Sequence, residues 1–237
     1  MIAMQTAMIS EIFYSLSGEG ITAGVPTVFV RFSGCSLRCG ITGERKLWCD
    51  TPYALSPNVG EKMSIQAILQ TIASLANPPY QLLLTGGEPL EGEKKKFCQE
   101  LVKVVYQKRH NYYYEKPRVE TSGKENLAGL DSMYFTMDYK LPGSGMEAEM
   151  DLDNFRILHE RNEVMDEIKF VVRDRVDFER AEEIIKEFKL QRNLLFSPVE
   201  GECDPGELSE WIKKASIPGI RLSLQIHKIL WGDIRGV

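Results

Sequence analysis

The sequence predicts an α/β fold on a mostly parallel sheet, an incomplete (βα)6-type partial barrel. Three observations point there. Short apolar, β-branched or aromatic runs alternate with stretches whose apolar residues recur at helical spacing. The alternation amounts to roughly six βα units, too few for a closed eight-stranded barrel. The cysteine-, glycine- and acid-rich stretches fall just after the strand-like runs, where α/β proteins gather their chemistry. The 237 residues suit one domain covering 1–237, with no internal repeat, low-complexity tract or long linker.

Taken in order, Glu11–Leu16 reads as a first strand, followed by the turn Ser17-Gly18-Glu19-Gly20. Thr27–Phe32 is the next strand and opens onto a loop bearing Cys35, Cys39 and Cys49. Pro52–Lys62, rich in Pro, Gly and Asn, reads as an irregular excursion. Ser64 is a helix N-cap, with Ile65, Ile68, Leu69 and Ile72 at helical spacing behind it; Asn77-Pro78-Pro79 ends that helix. Gln81–Leu84 is a short buried strand running into Thr85-Gly86-Gly87-Glu88-Pro89, whose glycines would let a ligand approach the strand end. A helix from about Glu91 to Lys108 follows, with Phe97, Leu101, Val104 and Val105 on its core face.

Arg118–Glu120 is a strand stub leading to Thr121-Ser122-Gly123, and Met133–Met137 a strand leading to Asp138-Tyr139-Lys140. Leu152–Glu160 reads as a helix, Glu167–Val172 as a strand and Phe178–Phe188 as a helix. Asn193–Phe196 is a strand into Ser197-Pro198-Val199-Glu200. Pro205–Lys214 is a helix with Pro in its first turn, where the missing N–H costs least. Ile220–Leu224 is the last strand, ending at Gln225-Ile226-His227-Lys228. The cysteines, Gly86-Gly87-Glu88, Glu120, Asp138–Lys140, Ser197–Glu200 and His227 should therefore share one rim.

Composition excludes several classes. Hydrophobic residues make up 43% of the chain, enough for a sizeable core, and the formal net charge of −5 argues against a broad nucleic-acid footprint. No apolar stretch reaches the length of a membrane span, and Met1–Ile9 lacks the features of a signal peptide. Five cysteines, an odd number, fit a reducing cytoplasm better than a secreted disulfide framework. The run Glu91–Lys96 reads as a solvated helix face.

The cysteine loop is the informative stretch. Three thiolates within fifteen residues can hold a soft metal centre. A closed structural zinc site takes four protein ligands, and no fourth Cys or His lies nearby. A cubane iron–sulfur cluster normally takes four cysteines, so three would leave one iron open to a small molecule.

Together these motifs resemble a known family. Three cysteines on the first βα loop, with Trp48 before the last, plus Gly86-Gly87-Glu88-Pro89, look like a radical S-adenosylmethionine (SAM) enzyme. The cysteine spacing is three residues and then nine, where the superfamily commonly has three and then two. Phe13–Gly20, Arg31-Phe32-Ser33-Gly34-Cys35, Trp48-Cys49-Asp50-Thr51, Thr85–Pro89, Glu120-Thr121-Ser122-Gly123 and Gln225–Lys228 jointly resemble the 7-carboxy-7-deazaguanine synthase family, from about Glu11 onward.

The resemblance implies a radical SAM partial barrel. In it Cys35, Cys39 and Cys49 hold a [4Fe–4S] cluster whose open iron chelates SAM. One electron cleaves SAM to a 5′-deoxyadenosyl radical, which starts ring contraction of 6-carboxy-5,6,7,8-tetrahydropterin to 7-carboxy-7-deazaguanine with loss of ammonia. The product leads to queuosine-type bases. The resemblance places Mg²⁺ at Thr51. It places SAM at Gly87, Glu88, Asp138, Tyr139, Lys140, Ser197, Pro198, Val199 and Glu200. It places the pterin at Leu16, Ser17, Gly18, Glu19, Arg31, Thr85, His227 and the C-terminal Val237. It further implies a flavodoxin-like reducing electron donor, a homodimer, and no nucleic-acid or membrane partner. Family members commonly carry Gln where Ser17 and Ser197 stand, and Ser-Pro where Asp138-Tyr139 stand.

Competing readings remain open at this level. Arg31 pairs either with the pterin carboxylate or with a structural carboxylate, and Glu120 is either a site group or a plain strand-end acid. His227 is either a site residue or a satisfied core histidine. Cys98, on a helix core face, and Cys203, in a loop, read as structural, and His110 and His159 as surface residues. Tyr112–Tyr114 reads as a packed loop or dimer contact before a nucleic-acid stack. The alternative functions are a radical SAM activase that makes a glycyl radical on a partner enzyme, and a metal-stabilised tRNA-binding module.

Overall fold

The computed structural model describes residues 6–41, 46–107 and 114–237. Tyr112, Tyr113, His110 and the expected helix end at Lys108 lie outside the described residues. Nine strands form one sheet, in the order β3-β1-β2-β4-β5-β6-β7-β8-β9. Strand β1 (Thr6–Leu16) runs antiparallel to β2 (Pro26–Phe32) and to β3 (Glu61–Ser64). From β2 onward every pairing is parallel: β4 (Gln81–Gly86), β5 (Arg118–Thr121), β6 (Tyr134–Tyr139), β7 (Glu167–Val172), β8 (Leu194–Pro198) and β9 (Ile220–Leu222). The two end strands do not pair with each other, so the sheet stays open.

Helices α1 (Ile65–Leu75), α2 (Glu93–Tyr106), α3 (Asp153–Arg161), α4 (Arg175–Glu187) and α5 (Pro205–Ala215) connect these strands, and α6 (Ile226–Trp231) follows the last. Ser64 caps α1 by accepting from Ala67 N, and Asp174 and Asp204 cap α4 and α5 in the same way. On α2 the buried stripe is Phe97, Cys98, Leu101, Val102 and Val105. The stripe centres nearer Cys98 than expected, so Val104 falls on its flank and is half-buried.

Strand β3 corrects the sequence reading of Pro52–Lys62 as irregular throughout. An edge strand with Glu61 and Lys62 exposed carries no apolar alternation, so it looked like loop. Helix α6 corrects the reading of Gln225–Lys228 as the end of the last strand; Ile226, Ile229 and Leu230 recur at helical spacing, but no residue of the helix is buried.

Period-2 alternation divides the inner strands cleanly. Phe135, Met137 and Tyr139, Phe170 and Val172, and Leu194 and Phe196 are buried in the core. There Phe170, Phe196, Phe178 and Trp211 pack with ring centroids 5.2–5.6 Å apart. Residues of the opposite parity, Thr136 and Asp138, Lys169 and Val171, and Ser197, line a cavity on the sheet's other face.

Candidate active site

The cavity has a volume of about 1500 Å³ and is lined from nearly every parallel strand. Its facing residues meet across the ladders: Arg31 opposite Thr85, Glu120 opposite Thr136, Asp138 opposite Lys169, and Val171 opposite Ser197. Every residue singled out above for a site role lines it except Ser17.

The cysteine loop is knitted to its neighbours by backbone. Gly34 N donates to Ala54 O at 2.8 Å and Cys35 N to Leu55 O at 3.2 Å. Lys94 Nζ donates to Ser33 O at 3.2 Å, so this member of the charged Glu91–Lys96 run anchors the loop and is not simply solvated. Trp48 N donates to Cys39 O at 3.1 Å, which brings the residue before Cys49 against Cys39. Gly40, at φ +94°, has no room for a Cβ, which would lie 2.8 Å from Trp48 N. The wide spacing and the short spacing thus serve the same end, three thiols around one opening.

Those thiols fit an iron–sulfur cluster. All three are free and partly exposed. Burial pushes Cys35 up to about 11, with Glu88 and Glu91 adding to the rise against an opposing N–H from Leu37. Burial also raises Cys39, opposed by Lys140 and reinforced by Asp138 and Cys49. At Cys35 and Cys39 the protein alone does not stabilise the thiolate; a bound metal would supply positive charge and favour loss of the proton. Among the described residues no three Cys, His, Asp or Glu side chains converge on one point as ligands of a single ion would. A cubane takes each thiolate on a separate iron, which suits thiols spread around a loop.

The groups expected at SAM divide in two. Ser197 Oγ and Asp138 Oδ1 are buried without a hydrogen-bond partner, though both residues face the cavity. A buried polar atom left unpaired costs about 1–3 kcal/mol, so a polar ligand there would be favoured. Asp138 Oδ2 holds Lys140 Nζ at 2.8 Å. Burial alone would lower Lys140, but Asp138 and Cys39 outweigh it and keep the ammonium charged.

The other SAM candidates are already committed. Glu88 Oε1 accepts from Leu90 N at 3.1 Å and Thr121 Oγ1 at 2.7 Å, while Oε2 accepts from Ser122 N at 2.7 Å and Ser122 Oγ at 2.6 Å. A carboxylate that already holds four donors ties two strand ends together, and its loop lines the cavity where SAM is expected. Tyr139 has the core parity: its ring packs 5.1 Å from Phe155 and its hydroxyl donates to Glu147 at 3.2 Å, so only its backbone is available to the cavity. The glycines also have another reason than ligand approach. A Cβ on Gly86 would lie 2.3 Å from Phe32 O, and one on Gly87 would lie 2.5 Å from Gly34 O.

At the opposite wall, Arg31 Nε donates to Glu11 Oε1 at 2.7 Å, so the structural carboxylate left open by the sequence is real. Among the described residues the two terminal nitrogens of Arg31 make no hydrogen bond, although the guanidinium lies over the Phe13 and Tyr53 rings at 5.8 and 5.9 Å from their centroids, and the residue faces the cavity. Thr85 Oγ1 donates to Glu120 at 2.7 Å. Burial, with Glu19 nearby, raises the Glu120 carboxyl above its ordinary value. Ser17 turns away: its hydroxyl bonds Glu19 O at 3.3 Å and Thr22 Oγ1 at 3.2 Å, and its backbone N and O bond Val25 and Gly24. It builds the turn and is not among the residues that line the cavity.

Sequence reasoning missed Lys169. It pairs with Glu19, and although burial would lower it, Glu19, Asp138 and Glu120 keep it charged. Gln225 and Asp50 were quoted only as motif members. Gln225 Nε2 bridges Glu19 Oε1 at 2.7 Å and Asp50 Oδ2 at 3.0 Å. Burial would raise Asp50, but Lys169 and Gln225 hold it below the ordinary range. The signal for Lys169 was present, because a charged residue alternating with Ile168 and Phe170 marks an inward polar face. His227 sits on Gly18, whose Cβ would lie 2.1 Å from Nδ1, and burial lowers the imidazole against the opposing pull of Glu19 and Asp50. Glu200 pairs with Lys228, and Thr51 Oγ1 lies 3.7 Å from Cys49 Sγ.

Comparison with known proteins bears on this site. A family model described as a 4Fe-4S single cluster domain matches residues 16–127. A 7-carboxy-7-deazaguanine synthase of Leptospira interrogans is 56% identical, the alignment covering 97% of each chain. One from Clostridium acetobutylicum is 34% identical over 96% of this chain and 97% of its own. The crystal structure of QueE from Escherichia coli matches with a TM-score of 0.65 at 21% identity, covering 93% of this chain and 94% of that one, a likeness of fold.

Proposed function

The chain belongs to the 7-carboxy-7-deazaguanine synthase family, and from that premise we propose how its cavity carries out the reaction. It is a radical SAM lyase of 7-deazapurine biosynthesis, contracting the ring of 6-carboxy-5,6,7,8-tetrahydropterin to 7-carboxy-7-deazaguanine. The activase and tRNA-module readings fall with that membership. When bound, the [4Fe–4S] cluster and SAM supply one-electron radical chemistry.

The chain's own residues do the rest, all within one domain. Cys35, Cys39 and Cys49 hold the cluster at the cavity mouth. Ser197 and Asp138 offer SAM the unpaired Oγ and Oδ1, and Lys140 holds the other oxygen of Asp138. Gly87, Pro198, Val199, Glu200 and the backbone of Tyr139 shape the same wall, and Glu88 fixes the loop. Arg31 takes the pterin carboxylate through its terminal nitrogens, a bidentate, charge-assisted contact. Glu19, oriented by Lys169 and Gln225, accepts from pterin N–H groups. Glu120, held toward its protonated form, is placed to hold or deliver a proton through the contraction. Leu16, Gly18, Thr85, His227 and Val237 complete the pterin side. Thr51 and the nearby Asp50 offer hard oxygens suited to Mg²⁺, which keeps few protein ligands.

Arg38 within the cluster loop and Lys124, which bonds Ser36 Oγ and pairs with Glu149, put positive charge beside the loop, which suits an acidic, flavodoxin-like electron donor. We extend the reading to a homodimer in the cytoplasm; among the described residues no helix is long and apolar enough to cross a membrane.

One observation carries this assignment: three free thiols open onto the same cavity as the unpaired fork of Arg31. The test is anaerobic reconstitution followed by turnover of the pterin with SAM, Mg²⁺ and a strong reductant. Wild type is expected to show the broad visible absorption of a thiolate-bound cluster and to form 7-carboxy-7-deazaguanine. Any of Cys35→Ala, Cys39→Ala or Cys49→Ala should lose both together. A cluster retained after all three substitutions would sink the assignment.

A further inference from the structure

The Glu11 carboxylate has two guanidinium partners, and the second lies on the C-terminal tail. Beyond α6, residues 232–237 run along the cavity mouth and line it. Arg235 holds this run: Nε donates to Glu11 Oε2 at 2.7 Å, and the guanidinium lies 3.8 Å from the ring centroid of Tyr53. The other oxygen of the same carboxylate accepts from Arg31 Nε at 2.7 Å and from Tyr53 OH at 2.9 Å. Glu11 sits directly opposite Arg31 in the β1–β2 ladder, just past a register shift after Ile9. A bulge re-aims the side chains that follow it.

An isolated half-exposed ion pair would contribute little. Arg235 is half-exposed, but here the carboxylate is largely buried and the guanidinium is stacked as well as bonded. The two arginines thus share one carboxylate, each on its own oxygen.

We propose that Arg235 is a positioning residue for substrate recognition: through Glu11 and Tyr53 it straps the C-terminal residues across the cavity and, with the same carboxylate, orients the Arg31 fork. The substrate half of this rests on the assignment of Arg31 to the pterin carboxylate. Anchoring the tail and aiming the fork are then one event, and the pterin meets both walls already set.

The test uses full-length, cluster-reconstituted enzyme with Arg235→Ala and, separately, Glu11→Gln. Hydrogen exchange of the amides of residues 232–237 is read without substrate. Binding of 6-carboxytetrahydropterin and of SAM is titrated separately. Both variants are expected to raise tail exchange and weaken pterin binding about 5-fold or more, with SAM binding changed less than about 2-fold. Unchanged tail exchange in Arg235→Ala would overturn the strap. A loosened tail with pterin affinity kept would overturn its coupling to Arg31. Wild type that ignores the pterin, with the tail still loosened by Arg235→Ala, would instead remove the functional premise and the proposal's substrate half with it.

Discussion

Two arginine–glutamate pairs lie on the inner face of the same sheet and differ in which end of the guanidinium is occupied. At the floor, Arg118 directs Nη1 to Glu167 at 3.1 Å, Thr136 Oγ1 at 2.9 Å and Phe135 O at 3.2 Å, and Nη2 to Met165 O at 2.8 Å; Nε is its unpaired atom. At the rim, Arg31 gives Nε to Glu11 and leaves both terminal nitrogens open. The floor pair is 3% and 1% exposed, the rim pair 14% and 15%. A guanidinium whose fork is filled by protein holds a fold together. One gripped by its inner nitrogen presents the fork to something else. Glu167 strengthens the contrast, since it also receives Ile21 N and Thr136 Oγ1 and so pins the Gly20–Thr22 turn to the floor.

The comparison can be broken most forcefully at the floor. Arg118→Met leaves the Glu167 carboxylate buried without its cation, and a loss of about 3–5 kcal/mol is expected in urea unfolding. Pairing it with Glu167→Leu should recover much of that loss. At the rim, Arg31→Ala should weaken pterin binding roughly 10- to 100-fold, the weight of a lost charge-assisted contact. Its stability should barely move, because Glu11 keeps Tyr53 and Arg235. If Arg31→Ala unfolds the protein as Arg118→Met does and spares the pterin, the two pairs are alike and the contrast fails.

Glu88→Gln sharpens the point for a filled carboxylate. It sets an amide N–H₂ against donors that Glu88 now accepts, so a stability loss of about 1–3 kcal/mol is expected. Faster hydrogen exchange around Ser122 should accompany it, and SAM binding should change only as the loop loosens.

The smallest effect is one of pH. Burial would raise the Glu11 carboxyl, but Arg235, Arg31 and Tyr53 together hold it below its ordinary value of 4.5. A carboxylate depressed in the folded state contributes stability that is complete above 4.5 and is lost as pH falls through the depressed value. Acid melting curves of wild type should therefore fall more steeply in that window than those of Glu11→Gln. Parallel curves would mean that the rim carboxylate is not linked to folding.

Much of the fold was legible because apolar period and cap chemistry are local. Ser64, the parallel strands and the helix starting at Pro205 follow from neighbours in the chain. Two elements escaped: β3 because an exposed edge strand has no buried face, and α6 although Ile226, Ile229 and Leu230 stand at helical spacing, since it directly follows the last strand and buries none of them. In the site, motif residues reached the cavity, but their tasks did not follow from the motif. Glu88 already holds four donors, Tyr139 faces the core, and Ser17 is consumed by its own turn. Lys169 and Arg235 sit in no motif and acquire meaning only from Glu19 and Glu11, which lie 150 and 224 residues away along the chain.

By itself the sequence determined the order of the parallel strands and the helices between them, the placement of three thiols on one loop, and the family to which these belong. Each depends on side chains and spacings close together along the backbone. The tertiary structure alone decided which polar groups are satisfied and which remain open to a ligand. That depends on hydrogen-bond partners brought together by parallel pairing of distant strands, and on which nitrogen or oxygen of a side chain the partner reaches first.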